Sequence, residues 1–122
     1  MKQVIAVVLL FLIVLGGIAW NALYIHRVAN RMNALLDSLP ALPDRDAVTI
    51  SENLLQIWEK ELPTVGLSVS YTVADRVSEQ AVALCSYAAA RDPAGYRVSM
   101  NLLRDAVGDM RRLERFSISN LF

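Results

Sequence analysis

The side chains best suited to catalysis or metal binding are few and far apart. His26 is the single histidine and Cys85 the single cysteine. A zinc site needs three or four N, S or O ligands gathered at short spacing. A Cys/His or Ser/His/Asp nucleophilic site would have to recruit His26, the one imidazole available. His26 directly follows a long apolar run, where an interfacial side chain is the simpler account. Cys85 lies mid-helix and reads as a small buried hydrophobe. The glycines Gly16, Gly17, Gly66, Gly95 and Gly108 form no phosphate-cradling loop. Gly16-Gly17 lacks the small residue four positions on that a helix-dimerisation motif requires. Asp105 and Asp109 sit one turn apart and read as a solvated helix face. These residues predict no enzyme, no cofactor and no metal.

Composition narrows the class further. Twelve basic side chains balance twelve acidic ones over 122 residues, so no net field draws the chain toward nucleic acid or an acidic ligand. The hydrophobic content of 55% exceeds the soluble norm of about 45–50%, and the N-terminal run supplies most of the excess. One cysteine excludes an intramolecular disulfide. No Asn-x-Ser/Thr acceptor occurs.

The excess is concentrated in Val4–Trp20, which carries no charged or strongly polar side chain. Asn21 interrupts, and Ala22-Leu23-Tyr24-Ile25 resume. A helix over Val4–Ile25 reaches about 33 Å, against about 30 Å for a hydrocarbon core. Trp20 and Tyr24 fall one turn apart at its far end, where amphipathic rings favour the headgroup level, and His26, Arg27 and Arg31 follow. The expected membrane interface is therefore Trp20, Tyr24, His26 and Arg27. The run is longer than the 7–15 residues of a signal-peptide core, and its one cleavage-like triplet, Gly17-Ile18-Ala19, would leave Trp20 at the new terminus. An uncleaved signal-anchor over residues 1–25 is expected. The flanking charges, Lys2 against Arg27 and Arg31, are nearly even. The short segment before the run favours a C-terminal domain outside the cytoplasm.

Beyond the run, the hydrophobic period is helical throughout. Ile25, Val28, Met32, Leu35 and Leu39 continue the first helix as a stalk, with Ala29 and Leu36 flanking the stripe. The chain's own later helices, rather than a coiled-coil partner, are expected to cover it. Pro40–Pro43 breaks the helix. Asp44, Asp46 or a Thr49/Glu52 capping box can open the next, with Val48, Ser51, Leu55, Trp58 and Leu62 on one face and Pro63 ending it or starting the following helix. Leu67–Val73 alternates like a strand but has no partner strand to pair with. Val65, Val69, Val73, Val77, Ala81, Leu84 and Ala88 also satisfy a helical face, so a third helix over 64–91 is predicted. Its segment Gln80–Ala90 carries no charge and is expected to be central in the bundle, with cover by a partner as the alternative. Asp92-Pro93 is an N-cap followed by a first-turn proline. It opens a helix over 93–116 with Tyr96, Met100, Leu103, Val107, Met110 and Leu113 inward. Arg111, Arg112 and Arg115 then fall in its last turn. There the helix dipole accounts for them, with an anionic headgroup as the alternative. An uncharged tail over 117–122 follows.

The N-terminal anchor, the helix bearing Trp58 and the ending Glu114-Arg-Phe-Ser-Ile-Ser-Asn-Leu-Phe122 together resemble the small membrane proteins of domain-of-unknown-function family 4363, found in Gram-positive, often spore-forming bacteria. The family's terminal pattern Leu/Ile-x-Asn-Leu/Ile-Phe falls here on Ile118, Asn120, Leu121 and Phe122. The chain departs from many relatives in carrying Tyr71 in place of a histidine and in its proline-rich linker Pro40–Pro43. The resemblance implies architecture and an envelope setting, and no activity.

The expected protein is thus all-α: a transmembrane segment over 1–25 and a small antiparallel helical bundle over 26–122, with helices near 26–39, 46–62, 64–91 and 93–116. Its expected partners are the lipid bilayer and another membrane or envelope protein, with a homo-oligomer open and no nucleic acid. The expected role is structural or interactive. Phe116, Ile118, Asn120, Leu121 and Phe122 are the candidate docking tail. A ligand-sensing bundle acting through a partner membrane protein is the alternative.

Overall fold

The fold was analysed in a computed structural model that describes every residue except 43, 67, 68, 70 and 122, and the side chains of all but residues 113–121 among them. Four helices follow one another: α1 (Lys2–Ser38), α2 (Arg45–Val65), α3 (Tyr71–Ala89) and α4 (Pro93–Leu121). The all-helical expectation holds, and no strand occurs among the described residues.

The helices close into a ring. α1 packs on α2 and α4 and α3 packs on the same two, and among the described residues the backbones of the diagonal pairs do not approach. Short connections force sequential neighbours to run antiparallel, and cross-helix contacts fix the register. Tyr24 of α1 bonds Glu61 near the end of α2. Arg76 near the start of α3 meets Asp109 late in α4. Tyr96 at the start of α4 donates to the Pro40 carbonyl just past α1 at 2.9 Å.

The core sits where the four apolar stripes converge, on Ile25, Met32, Leu54, Trp58, Leu84 and Leu103, all fully buried. The stalk stripe is covered by the chain's own helices, as its period predicts. The α2 stripe is rotated by one position. Ala47, Ser51, Leu54 and Trp58 are buried, while Val48, Leu55 and Leu62 are partly buried at its edge. Ser51 tolerates this position because its hydroxyl donates to the Ala47 carbonyl at 2.6 Å.

Asp44, one of the candidate caps, opens α2, accepting from the Asp46 N–H at 2.9 Å. Three other helix ends differ from the sequence reading. α2 runs through Pro63 to Val65, giving up a single ladder bond within its final turn. The Gly66 N–H then closes on the Leu62 carbonyl at 2.7 Å, so α3 begins at Tyr71 rather than at residue 64. The early valines of the predicted stripe are still used, since Val65 is buried from the end of α2 and Val69 from the connection. Finally, α4 continues to Leu121. The proposed separate tail is helix over 117–121, because nothing from Phe116 onward breaks the ladder.

The end of α3 carries local strain. Arg91 adopts a left-handed φ of 55°, and the Asp92 N–H bonds the Tyr87 carbonyl at 3.0 Å, a C-terminal capping pattern that favours glycine. Arg91→Gly is therefore expected to stabilise the protein by about 0.5–1 kcal/mol, measured as a higher unfolding midpoint. Asp92 then caps α4 as predicted, accepting from the Gly95 N–H at 3.2 Å. Gly95 faces Tyr87 so closely that a Cβ there would lie 2.3 Å from the ring.

α3 is not central. It packs on two neighbours only, and Val82 and Tyr87 remain exposed. The uncharged run Gln80–Ala90 thus contributes Ala81, Leu84 and Ala88 to the core and an uncharged outer face to the surface.

Candidate functional site

The feature that sets this chain apart from a compact bundle is the first half of α1. Burial begins at Ala22. Before it, the large apolar side chains from Val4 to Val14 stand exposed. The helix contains an 18-residue window of mean hydropathy 2.6 that is 0% buried. It is the one helix among the described residues long and apolar enough to cross a membrane. A core helix of similar composition would be covered. Soluble monomers seldom leave an apolar patch larger than about 300–600 Å² in water.

The four expected interface residues divide. Trp20 is 77% exposed, and His26 and Arg27 are exposed just beyond it. Tyr24 turns inward instead. It is partly buried against the core and donates its hydroxyl to the Glu61 carboxylate. Its role in the fold is to clamp α1 to α2 at the point where α1 leaves the bundle.

The antiparallel register carries α4 back toward that same point. Arg104 and Asp37 meet at 3.0 Å. Helical rise of about 1.5 Å per residue then sets Arg111 level with Asn30 and Arg31, and Leu121 level with Trp20. The candidate tail residues Phe116, Ile118, Asn120 and Leu121 lie on this returning helix, with side chains outside the described set. Phe122 lies outside the described residues altogether. Because α4 runs on to Leu121, no basic residue occupies its last turn. The helix-dipole account of Arg111 and Arg112 therefore fails, since that effect fades within one turn.

The charges at this end are arranged asymmetrically. Asp109 accepts from Arg76 at 2.7 Å and from Arg112. The Arg76 hydrogen bond leads in holding its carboxyl below the usual range. The sign follows: a depressed native pKa adds stability above the unfolded value of about 3.9, lost as pH falls through the native one. Asp109→Asn is expected to flatten the acid limb of a thermal-unfolding profile measured below about pH 4. Asp109 was read from sequence as part of a solvated face. Its partner lies 33 residues earlier, beyond any helical period.

Cys85 is half-buried, and burial, followed by Glu52 and Glu59, pushes its thiol up. That disfavours the thiolate a nucleophile needs. Among the described residues no group of three or more His, Cys, Asp or Glu side chains gathers as a metal site. One surface depression is lined by α4 residues alone, Arg104, Asp105, Gly108, Arg111 and Arg112. No family model, curated protein or solved structure matches the chain.

Proposed function

We propose that this is a single-pass membrane protein whose helical bundle is a structural or interaction module held against the bilayer. The observation that carries the reading is the uncovered first half of α1, with a window of mean hydropathy 2.6 and 0% burial. Its length matches a hydrocarbon core. Trp20 marks the headgroup level, and the stiff continuation of the same helix into the core fixes the bundle at the surface rather than on a flexible tether.

The bundle lies on the extracytoplasmic side. This follows the signal-anchor reading of residues 1–25, in which Lys2 is the n-region and the chain after the apolar run is exported; the flanking charges, Lys2 against Arg27 and Arg31, are nearly even. Labelling intact cells with a membrane-impermeant maleimide tests this on Asn101→Cys in a Cys85→Ala background, since Asn101 is exposed on α4. Modification before lysis is the expected result; modification only after lysis places the bundle inside.

The docking surface of this module is the C-terminal segment with Phe116, Ile118, Asn120, Leu121 and Phe122, an uncharged stretch of the sequence. The same ending supports kinship with domain-of-unknown-function family 4363. Crosslinking in membranes with and without residues 117–122 tests the docking role: a crosslinked species lost on truncation supports it, and an unchanged pattern contradicts it.

A further inference from the structure

We infer that the end of the bundle from which the apolar half of α1 emerges is itself a lipid-contact surface, with Tyr71 as a second interfacial aromatic at the level of Trp20. The inference rests on the membrane reading above and deepens it: the bundle meets the bilayer with its own side chains, not through α1 alone.

The charges of all four helices stop at one level. Residues 3–25 hold no Asp, Glu, Lys, Arg or His, and neither do residues 62–74 or 116–122. The residues that border these stretches are His26 on α1, Glu61 on α2, Asp75 on α3 and Arg115 on α4. Cross-helix bonds bring the four together in height. Tyr24 bonds Glu61. Trp58 bonds Ser78 at 2.8 Å, and Glu61 and Asp75 each lie three residues from that pair, toward the membrane. Arg104 meets Asp37 at 3.0 Å, and Arg115 and His26 each lie eleven residues from that pair in the same direction. At a rise of about 1.5 Å per residue, the four border residues agree to within about two turns. The Arg76–Asp109 ion pair lies just on the water side of this boundary.

On its membrane side, Pro63, Thr64, Gly66, Tyr71 and Thr72 are exposed. Tyr71 is 81% exposed and Trp20 77%. Tyr71 lies four residues below Asp75, and Trp20 four below Tyr24, so the two rings share a level. The headgroup layer favours amphipathic rings, and charge becomes costly toward the hydrocarbon. The far end of the bundle has the opposite composition. Asp44, Arg45 and Asp46 open α2 there, and Arg91 and Asp92 join α3 to α4, all exposed. The residues that join α2 to α3 carry no charge, and they lie at the end where α1 continues into its uncovered apolar half. That continuity makes lipid the partner of the uncharged end.

The test uses the full chain in phosphatidylcholine nanodiscs, in a Cys85→Ala background. An environment-sensitive fluorophore is placed on one introduced cysteine at a time: Leu10→Cys, Thr64→Cys, Thr72→Cys or Asn101→Cys. The quenchers are a nitroxide on the lipid acyl chain and iodide in the water. Asn101 lies about 28 Å farther along the bundle than Thr64, so lipid quenching at Thr64 and Thr72 is expected to exceed that at Asn101 by about twofold or more. Iodide is expected to give the reverse order. Lipid quenching at Thr64 and Thr72 no greater than at Asn101, with Leu10 quenched, overturns the proposal and leaves the membrane reading standing. A Leu10 label untouched by the lipid nitroxide overturns both. Shielding of Thr64 from both quenchers overturns the lipid assignment and marks this end as an interface between copies of the chain. Tyr71→Glu is expected to lower lipid quenching at Thr64 about twofold, with the far-UV circular dichroism spectrum unchanged, and Tyr71→Phe to keep it. Unchanged quenching in Tyr71→Glu overturns the role given to that ring.

Discussion

Trp58→Ala is expected to destabilise the bundle by about 3–5 kcal/mol, the range for emptying a large aromatic site in a packed core. Trp58 is fully buried, and its indole Nε1–H donates to the Ser78 hydroxyl at 2.8 Å. The substitution removes the largest core side chain from α2 and strands a hydroxyl on α3 at once. Small domains hold only about 5–15 kcal/mol in total, so the loss is a large fraction of the whole and is expected as a strongly lowered unfolding midpoint. Denaturant titration of the full chain in a mild detergent measures it. Ser78→Ala is the matched control and costs about 1 kcal/mol, the worth of one neutral hydrogen bond. A Trp58→Ala loss no larger than that of Ser78→Ala would place the core elsewhere.

The second large effect separates the anchor from the bundle. Leu10→Arg combined with Ile13→Arg puts two charges into the middle of the apolar half of α1, at about 2.5–3.5 kcal/mol each on insertion scales. Both residues are exposed. Membrane retention in a cell fractionation is expected to fall sharply, while the denaturant midpoint of the purified chain stays at the wild-type value. A parallel loss of both properties would mean that α1's first half folds against the bundle after all.

The helical fold was legible because three of its four stripes repeat with a clear period and the breaks carry strong local chemistry. Asp92-Pro93 and Asp44 act as read, since capping is decided by a side chain two or three residues from the N–H it satisfies. Val65 and Val69 were assigned correctly to the core but to the wrong element. Their period is helical, yet the Gly66 closure ends α2 between them. The α2 stripe was misplaced by one residue because Leu54 and Leu55 are both apolar, and only packing decides which one points inward. Tyr24 illustrates the limit at the site. A tyrosine at the end of an apolar run has the composition of a headgroup anchor, and its bond to Glu61 appears only when α2 is folded back. The length of α4, which decides whether the helix dipole accounts for Arg111 and Arg112, is not marked by any breaker residue.

The central claim is that the first half of α1 stays attached and spans the bilayer. Alkaline carbonate extraction of membranes, followed by intact-mass measurement of the chain in the pellet, tests it most directly. The account predicts a carbonate-resistant chain whose mass includes residues 1–19. Release into the supernatant, or a membrane-free product beginning at Trp20, would contradict it.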